Sequence, residues 1–236
     1  MNREIIYGSR PVLEVLQSGR RKVFEIFDAT GDEEIAKAAA TRGVNPKHVS
    51  RQRVDELARG GVHQGVVARV EPYPYSGLGE MLAAPEPLIL VLDGVTDPRN
   101  LGAVLRAADG AGAGGIVIPK DRAAGVTAAA VKASSGASEH VRVARETNLR
   151  RAIAQMKEAG LWVYAAEAGG TPYSELDLTG PVGLVFGSEG RGVRRLVREA
   201  CDGEVSVPML GSVGSLNISV ASAVLLYEVR RQRGWP

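Results

Sequence analysis

A single cysteine, Cys201, stands in a chain of 236 residues. That excludes an intrachain disulfide and any zinc site built from several thiolates. Histidine is also scarce. His48, His63 and His140 lie far apart in sequence, and there is no H-E-x-x-H, so neither a metal centre nor a histidine-based triad is expected. No apolar run approaches the ~20 residues that span a bilayer. The start, MNREIIYG, carries Glu4 and no long apolar stretch, so no secretory leader is expected either. The expectation is a soluble cytoplasmic protein with no membrane partner. A Walker lysine motif and a G-x-S-x-G are missing too. Charge is nearly balanced, 29 Lys and Arg against 27 Asp and Glu, so the net +2 does not by itself imply a nucleic-acid partner.

The apolar content, 44%, is that of an ordinary globular protein, and the length suits one large or two small domains. Residues 1–71 alternate helix and strand patterns. Ser9 and Pro11 open a helix closed by Gly19. Residues 23–28 read as a strand. Asp32 caps a helix that carries Glu33 and Glu34 in its first turn and is followed by Gly43. A short strand at 47–50, a helix at 54–59 and a strand at 66–70 complete a small α/β unit. Its basic residues, Arg20, Arg21, Lys22, Lys47, Arg51 and Arg53, gather at element ends. They make either a phosphate-binding face or an ordinary solvated surface. His63-Gln64-Gly65 reads as a turn. The following stretch, PYPYSGLGEMLAAPEP, holds four prolines and two glycines and is the linker candidate. The expected division is 1–71, a linker at 72–86, and 87–236.

From Leu88 onward, apolar runs at 88–92, 116–118, 161–165 and 182–186 alternate with helical patterns at 101–109, 127–134, 149–159 and 193–200. This predicts an α/β fold with a mostly parallel sheet covered on both faces. Gly110, Gly112 and Gly115 fit G-x-G-x-x-G, but they follow a helix and precede a strand. The dinucleotide fingerprint needs the opposite order, so the match is a decoy.

Three other loops are informative. The first strand leads into DGVTDPRNLGAVLR, where Asn100 opens a helix and Arg106 sits on an otherwise apolar segment. A guanidinium there needs a partner, either a ligand or a salt bridge to Asp97 or Asp109. The strand at 182–186 runs into Gly187-Ser-Glu189-Gly-Arg-Gly, whose glycines allow close backbone approach to a flat ligand. The third loop is VPMLGSVGSLN at 207–217. Its Ser212, Ser215 and Asn217 are more polar than core packing requires, and an apolar helix follows. Three glycine-rich loops at strand ends describe a site.

Together the motifs N-L-G-A-V-L-R, V-F-G-S-E-G-R-G and V-P-M-L-G-S-V-G-S-L-N-I-S-V-A-S-A resemble those of the SpoU (TrmH-type) branch of the SPOUT methyltransferases. The resemblance covers the chain from about Leu88 to Arg231. The 1–71 unit resembles the small, ribosomal-protein-like RNA-binding domain of one subgroup. That subgroup includes enzymes that methylate a guanosine ribose in large-subunit rRNA. The resemblance implies S-adenosyl-L-methionine as cofactor, 2′-O-methylation of RNA, a trefoil knot in the C-terminal domain and a homodimer. By motif match, cofactor contacts fall to Gly187, Val207, Met209 and Leu216. The catalytic set falls to Asn100, Arg106, Glu189, Ser215 and Asn217. An ordinary arginine is a poor free base, so Arg106 is expected to bind RNA phosphate and hydroxyl and to stabilise oxyanion charge. Within the family, a tRNA ribose methyltransferase or a resistance-conferring rRNA methyltransferase is the nearest alternative. A non-catalytic RNA-binding assembly factor is a remote one.

Overall fold

The structure is a computed structural model that describes residues 3–188 and 190–235. Among these, one four-stranded and one six-stranded sheet carry the fold. The first sheet is built from β1 (Glu4–Tyr7), β2 (Val23–Asp28), β3 (Lys47–His48) and β4 (Val66–Val70), in the order β1-β4-β2-β3. Strand β4 runs antiparallel to both neighbours. The helices α1 (Ser9–Ser18), α2 (Glu33–Thr41) and α3 (Arg51–Ala58) fall between the strands. Their ends follow the sequence. Gly19 takes the left-handed conformation that stops α1. Asp32 accepts from the backbone N–H of Glu34 and Ile35, and Ser50 caps α3 through Arg53 N–H. Strand β1 is a difference from the sequence reading, because four residues are too few to display a period.

The proline-rich stretch after β4 is well packed. Tyr73 is buried, and α4 (Leu78–Leu82) inserts Leu78 and Met81 into the core. The second sheet follows: β5 (Leu88–Asp93), β6 (Gly115–Pro119), β7 (Val143–Glu146), β8 (Trp162–Pro172), β9 (Val182–Gly187) and β10 (Gly203–Ser206). All its pairings are parallel, in the order β10-β8-β9-β5-β6-β7. Every residue of β5 is buried. Leu88, Leu90 and Leu92 pack into one core cluster, and Ile89 and Val91 into the other. This is the two-sided burial that a continuous apolar run predicts. One layer uses α5 (Pro98–Gly110), α6 (Ala128–Ala133) and α9 (Ile218–Arg233); the other uses α7 (Leu149–Glu158). The helix expected over 193–200 is a single turn, α8 (Arg195–Arg198), because only Val197 of it is buried. Asn100 does not open α5. The helix starts at Pro98 with Asp97 as its cap, and Asn100 lies in the first turn.

Two residues of the basic cluster, Arg20 and Arg21, are taken up by contacts with the second unit. Arg21 and Glu139, both with fully buried side chains, form a two-bond ion pair between the N-terminal unit and the segment after α6. Arg20 donates to Val141 O at 2.9 Å and to Ser76 Oγ at 3.2 Å. The Tyr73 hydroxyl donates to Val141 O at 2.9 Å, and His140 meets Glu14 at 2.8 Å. Lys47 and Arg53 are likewise engaged, by Glu25 and Glu56. A polar seam of mostly buried groups thus docks the first sheet unit on the second.

Candidate active site

Ligands bind beyond the carboxyl ends of parallel strands. At that edge the C-terminal ends of β8, β9 and β10 and the segment 207–218 enclose a cavity of ≈ 270 Å³. Its floor is apolar, formed by Phe186, Val205, Ile218 and Leu225. One wall is the loop after β9. Gly187 is required there, since a Cβ on it would lie 1.9 Å from the carbonyl carbon of Gly192. Two acids pin that loop. Buried Asp93, at the end of β5, accepts from Arg194 N–H at 2.9 Å and from its guanidinium at 2.7 Å. Glu167, on β8, accepts from Val193 N–H at 2.8 Å. Glu167 lines the cavity, and no Lys or Arg does so among the described residues.

Of the residues singled out by sequence, Gly187, Val207, Met209, Leu216 and Ser215 all line this cavity. Asn217 stands between two lining residues, Leu216 and Ile218. It caps α9, its Oδ1 accepting from Ser219 N–H at 2.9 Å, and its Nδ2 donates to Asn100 Oδ1 at 3.2 Å. The two motifs therefore meet. Arg106 is not among the residues that line the cavity. It lies four residues after Gly102, on the face of α5 that meets α6. Gly102 permits that approach, because a Cβ there would fall 2.5 Å from Ala133 Cβ and 2.6 Å from Ala130 O. Arg106 is exposed and donates to Ser135 Oγ at 3.4 Å. Neither Asp97 nor Asp109 pairs with it; Asp97 serves as the cap of α5. Glu189 lies outside the described residues, although its neighbours Ser188 and Gly190 line the cavity. Gly211 and Gly214 are not forced by geometry: neither has a positive φ, and a Cβ on either meets nothing within 4 Å.

Sequence reasoning missed Glu167. A carboxylate entering two glycines (Glu167-Ala-Gly169-Gly170) at the end of a parallel strand was the available signal. Strand β8 runs on to Pro172 without apolar alternation, since its last residues are held by pairing with β10 across a register shift.

The family model described as "SpoU rRNA Methylase family" matches residues 87–227. The chain belongs to the SpoU rRNA methylase family. A second model, "RNA 2'-O ribose methyltransferase substrate binding", matches residues 5–76 of this SpoU protein. Among its relatives, the 23S rRNA (guanosine-2'-O-)-methyltransferase RlmB of Photorhabdus laumondii is 45% identical, with 98% of each chain covered. RlmB of Escherichia coli K12 is 43% identical over 98% of this chain and 99% of its own. In structure, this SpoU chain resembles the methyltransferase AviRb of Streptomyces viridochromogenes, solved in complex with the cofactor AdoMet. The TM-score is 0.84 at 26% identity, with 97% of this chain and 89% of that one covered.

Proposed function

We propose that this protein methylates the 2′-hydroxyl of a guanosine ribose in 23S rRNA, using S-adenosyl-L-methionine. The observation that carries the reading is the cavity at the ends of β8, β9 and β10, lined by Gly187, Val207, Met209, Ser215 and Leu216. Its residues suit that cofactor. An apolar floor accepts a flat base, the Gly187 loop offers close backbone groups, and Glu167 is the only charged side chain among the described lining residues, so the charge on the cavity is negative and complements a sulfonium. When bound, the cofactor supplies the electrophilic methyl group and its own leaving group.

What remains for the protein is alignment and charge stabilisation. Arg106, exposed on α5, binds the RNA phosphate and hydroxyl and stabilises the developing oxyanion. Asn100 and Asn217, joined to one another, orient the groups at the start of both helices. Glu189 assists Arg106, and Ser215 shapes the cavity wall. Residues 1–71 are assigned to RNA substrate binding, 87–236 to catalysis, and 72–86 to the join between them. A trefoil knot in the second unit is supported by the path of the chain: from β10 at the sheet edge, the segment 207–217 returns across the cavity to α9, which packs with α5 in the middle of the sheet. A homodimer through this unit is supported by exposed Leu210, Val220, Tyr227 and Trp235 on α9 and its flanking segments. No described helix is long and apolar enough to cross a membrane, and the cytoplasm is the compartment in which bacterial rRNA is met.

The test is methyl transfer from labelled cofactor to separated 23S rRNA and tRNA, followed by mapping of the modified nucleotide. Label on a 23S guanosine ribose is expected. Label confined to tRNA would move the substrate, and no transfer to either would overturn the reading.

A further inference from the structure

Among the described residues, four non-glycine residues hold a positive φ: Arg59, Gln64, Arg122 and Ser135. Such backbone is strained for a residue with a Cβ and persists where the surroundings over-determine it. Two of the four, Gln64 and Ser135, belong to opposite sides of the seam. Gln64 belongs to the loop before β4, and its Oε1 accepts a 2.6 Å bond from Lys132 Nζ on α6. Ser135, three residues on and past the end of α6, accepts from Arg106. His63 has a different part in that loop. Its buried ring accepts from Gly65 N–H at 2.9 Å through Nδ1 and meets Asp55 at 2.7 Å through Nε2, so it fixes the turn. Gln64 is left exposed and directed across the seam. Gly8 leaves the room, since a Cβ there would fall 2.5 Å from Lys132 Nζ.

The electrostatics of this junction are unusual. The Lys132 ammonium is partly buried, and burial pulls its pKa below the ordinary lysine value. Among the described residues it pairs with no carboxylate; its partner is a neutral amide. An ammonium has three N–H donors, and the amide takes one. The other two and the whole charge remain for an anion, three residues before the serine that accepts from Arg106.

We infer that Lys132, oriented by Gln64 from the N-terminal unit, binds a backbone phosphate of the RNA next to the nucleotide held at Arg106. The inference rests on the reading of the protein as an RNA methyltransferase. Lys132 touches the RNA; Gln64 is a positioning residue. The choice of amide over carboxylate at position 64 follows, because Glu would cancel the charge that the phosphate meets. The subsite spans the seam, so RNA reads the docked arrangement of both units.

The experiment uses the full chain and a transcribed 23S rRNA fragment, with affinity followed by fluorescence anisotropy between 50 and 200 mM salt. Removing one phosphate contact lowers the salt slope by about 1 and weakens binding by roughly tenfold, independent of sequence. Lys132→Met is expected to do both, with wild-type cofactor affinity by calorimetry and a wild-type melting temperature. Lys132→Arg is expected to restore the slope, and Gln64→Glu to lower it. A merely structural role would not move the slope. If Lys132→Met does not fold, Gln64→Glu, a change in an exposed loop, carries the test. A folded variant with an unchanged slope overturns the inference. If the wild-type protein binds and methylates the RNA while the variants match it, this inference alone falls. If the wild type does neither, the proposed function falls with it.

Discussion

Asn217 and Asn100 are joined by a 3.2 Å hydrogen bond between side chains 117 positions apart, and the same Asn217 amide caps α9. One side chain thus holds a helix start and ties it to the first turn of α5. The two tasks are separable, because Asp keeps the capping oxygen and loses the donor.

Asn217→Asp is expected to change stability by less than about 0.5 kcal/mol, since Asn and Asp cap about equally well. Methyl transfer under single-turnover conditions is expected to fall steeply. Asn217→Ala loses the cap too, at about 1 kcal/mol. Calorimetric melting beside a turnover assay checks this, and full activity in the Asp variant would remove Asn217 from the catalytic set.

Gly187→Ala places a Cβ 1.9 Å from the Gly192 carbonyl carbon, where only backbone movement makes room. Overpacking of this kind costs about 1–3 kcal/mol. Cofactor affinity measured by titration calorimetry is expected to drop about ten- to a hundredfold if that cost falls on the bound loop. Gly211→Ala, where a Cβ meets nothing within 4 Å, is the control and is expected to bind as the wild type does.

Glu139→Ala takes the two-bond partner from a fully buried guanidinium, that of Arg21, and leaves it the longer contact with Glu4 at 3.4 Å. Breaking a buried pair on one side costs about 3–5 kcal/mol. Urea unfolding is expected to show that loss, and the double variant Arg21→Met/Glu139→Leu to recover most of it. A single-variant loss below about 1 kcal/mol would mean that the pair is solvated in solution.

Burial pushes the Tyr73 phenol from 10.0 up to about 12. The folded state therefore favours the neutral phenol. Its contribution, on the order of 3 kcal/mol, is fully present below pH 10 and is lost as pH rises through about 12. The urea midpoint is expected to fall across that window in the wild type and to fall less in Tyr73→Phe. Equal slopes in the two proteins would contradict a buried phenol at the seam.

Much of this was legible beforehand where one physical rule dominates. LILVLD at 88–93 could only be a strand covered on both faces, and Asp32 could only be a cap. That glycine-rich loops at strand ends would form a site was legible for the same reason, whereas the individual residues around the cavity came only from the resemblance of their motifs. The short strands β1 and β7 were not, because four residues show no period. The seam was misread. Arg20 and Arg21 look like a surface run in sequence, and only the fold brings Glu139 to neutralise Arg21. For Arg106 a ligand and a salt bridge to Asp97 or Asp109 were both open; neither acid pairs with it, and its face of α5 turns to α6 because Gly102 lets that helix in. Pairings across more than a hundred residues leave no local signature.

The order in which the cavity walls occur along the chain sets when the pocket exists during synthesis. Its first two walls, from β8 and the loop after β9, and Phe186 of its floor are in place by Gly192; the rest of the floor and the last wall wait for Val205 to Leu225. Units that emerge first fold first. A growing chain short of Val205 already has its N-terminal sheet and five strands of the second, yet holds no pocket. Competence for the cofactor therefore arrives in a single late step, as the segment 207–217 closes over a sheet that is already built.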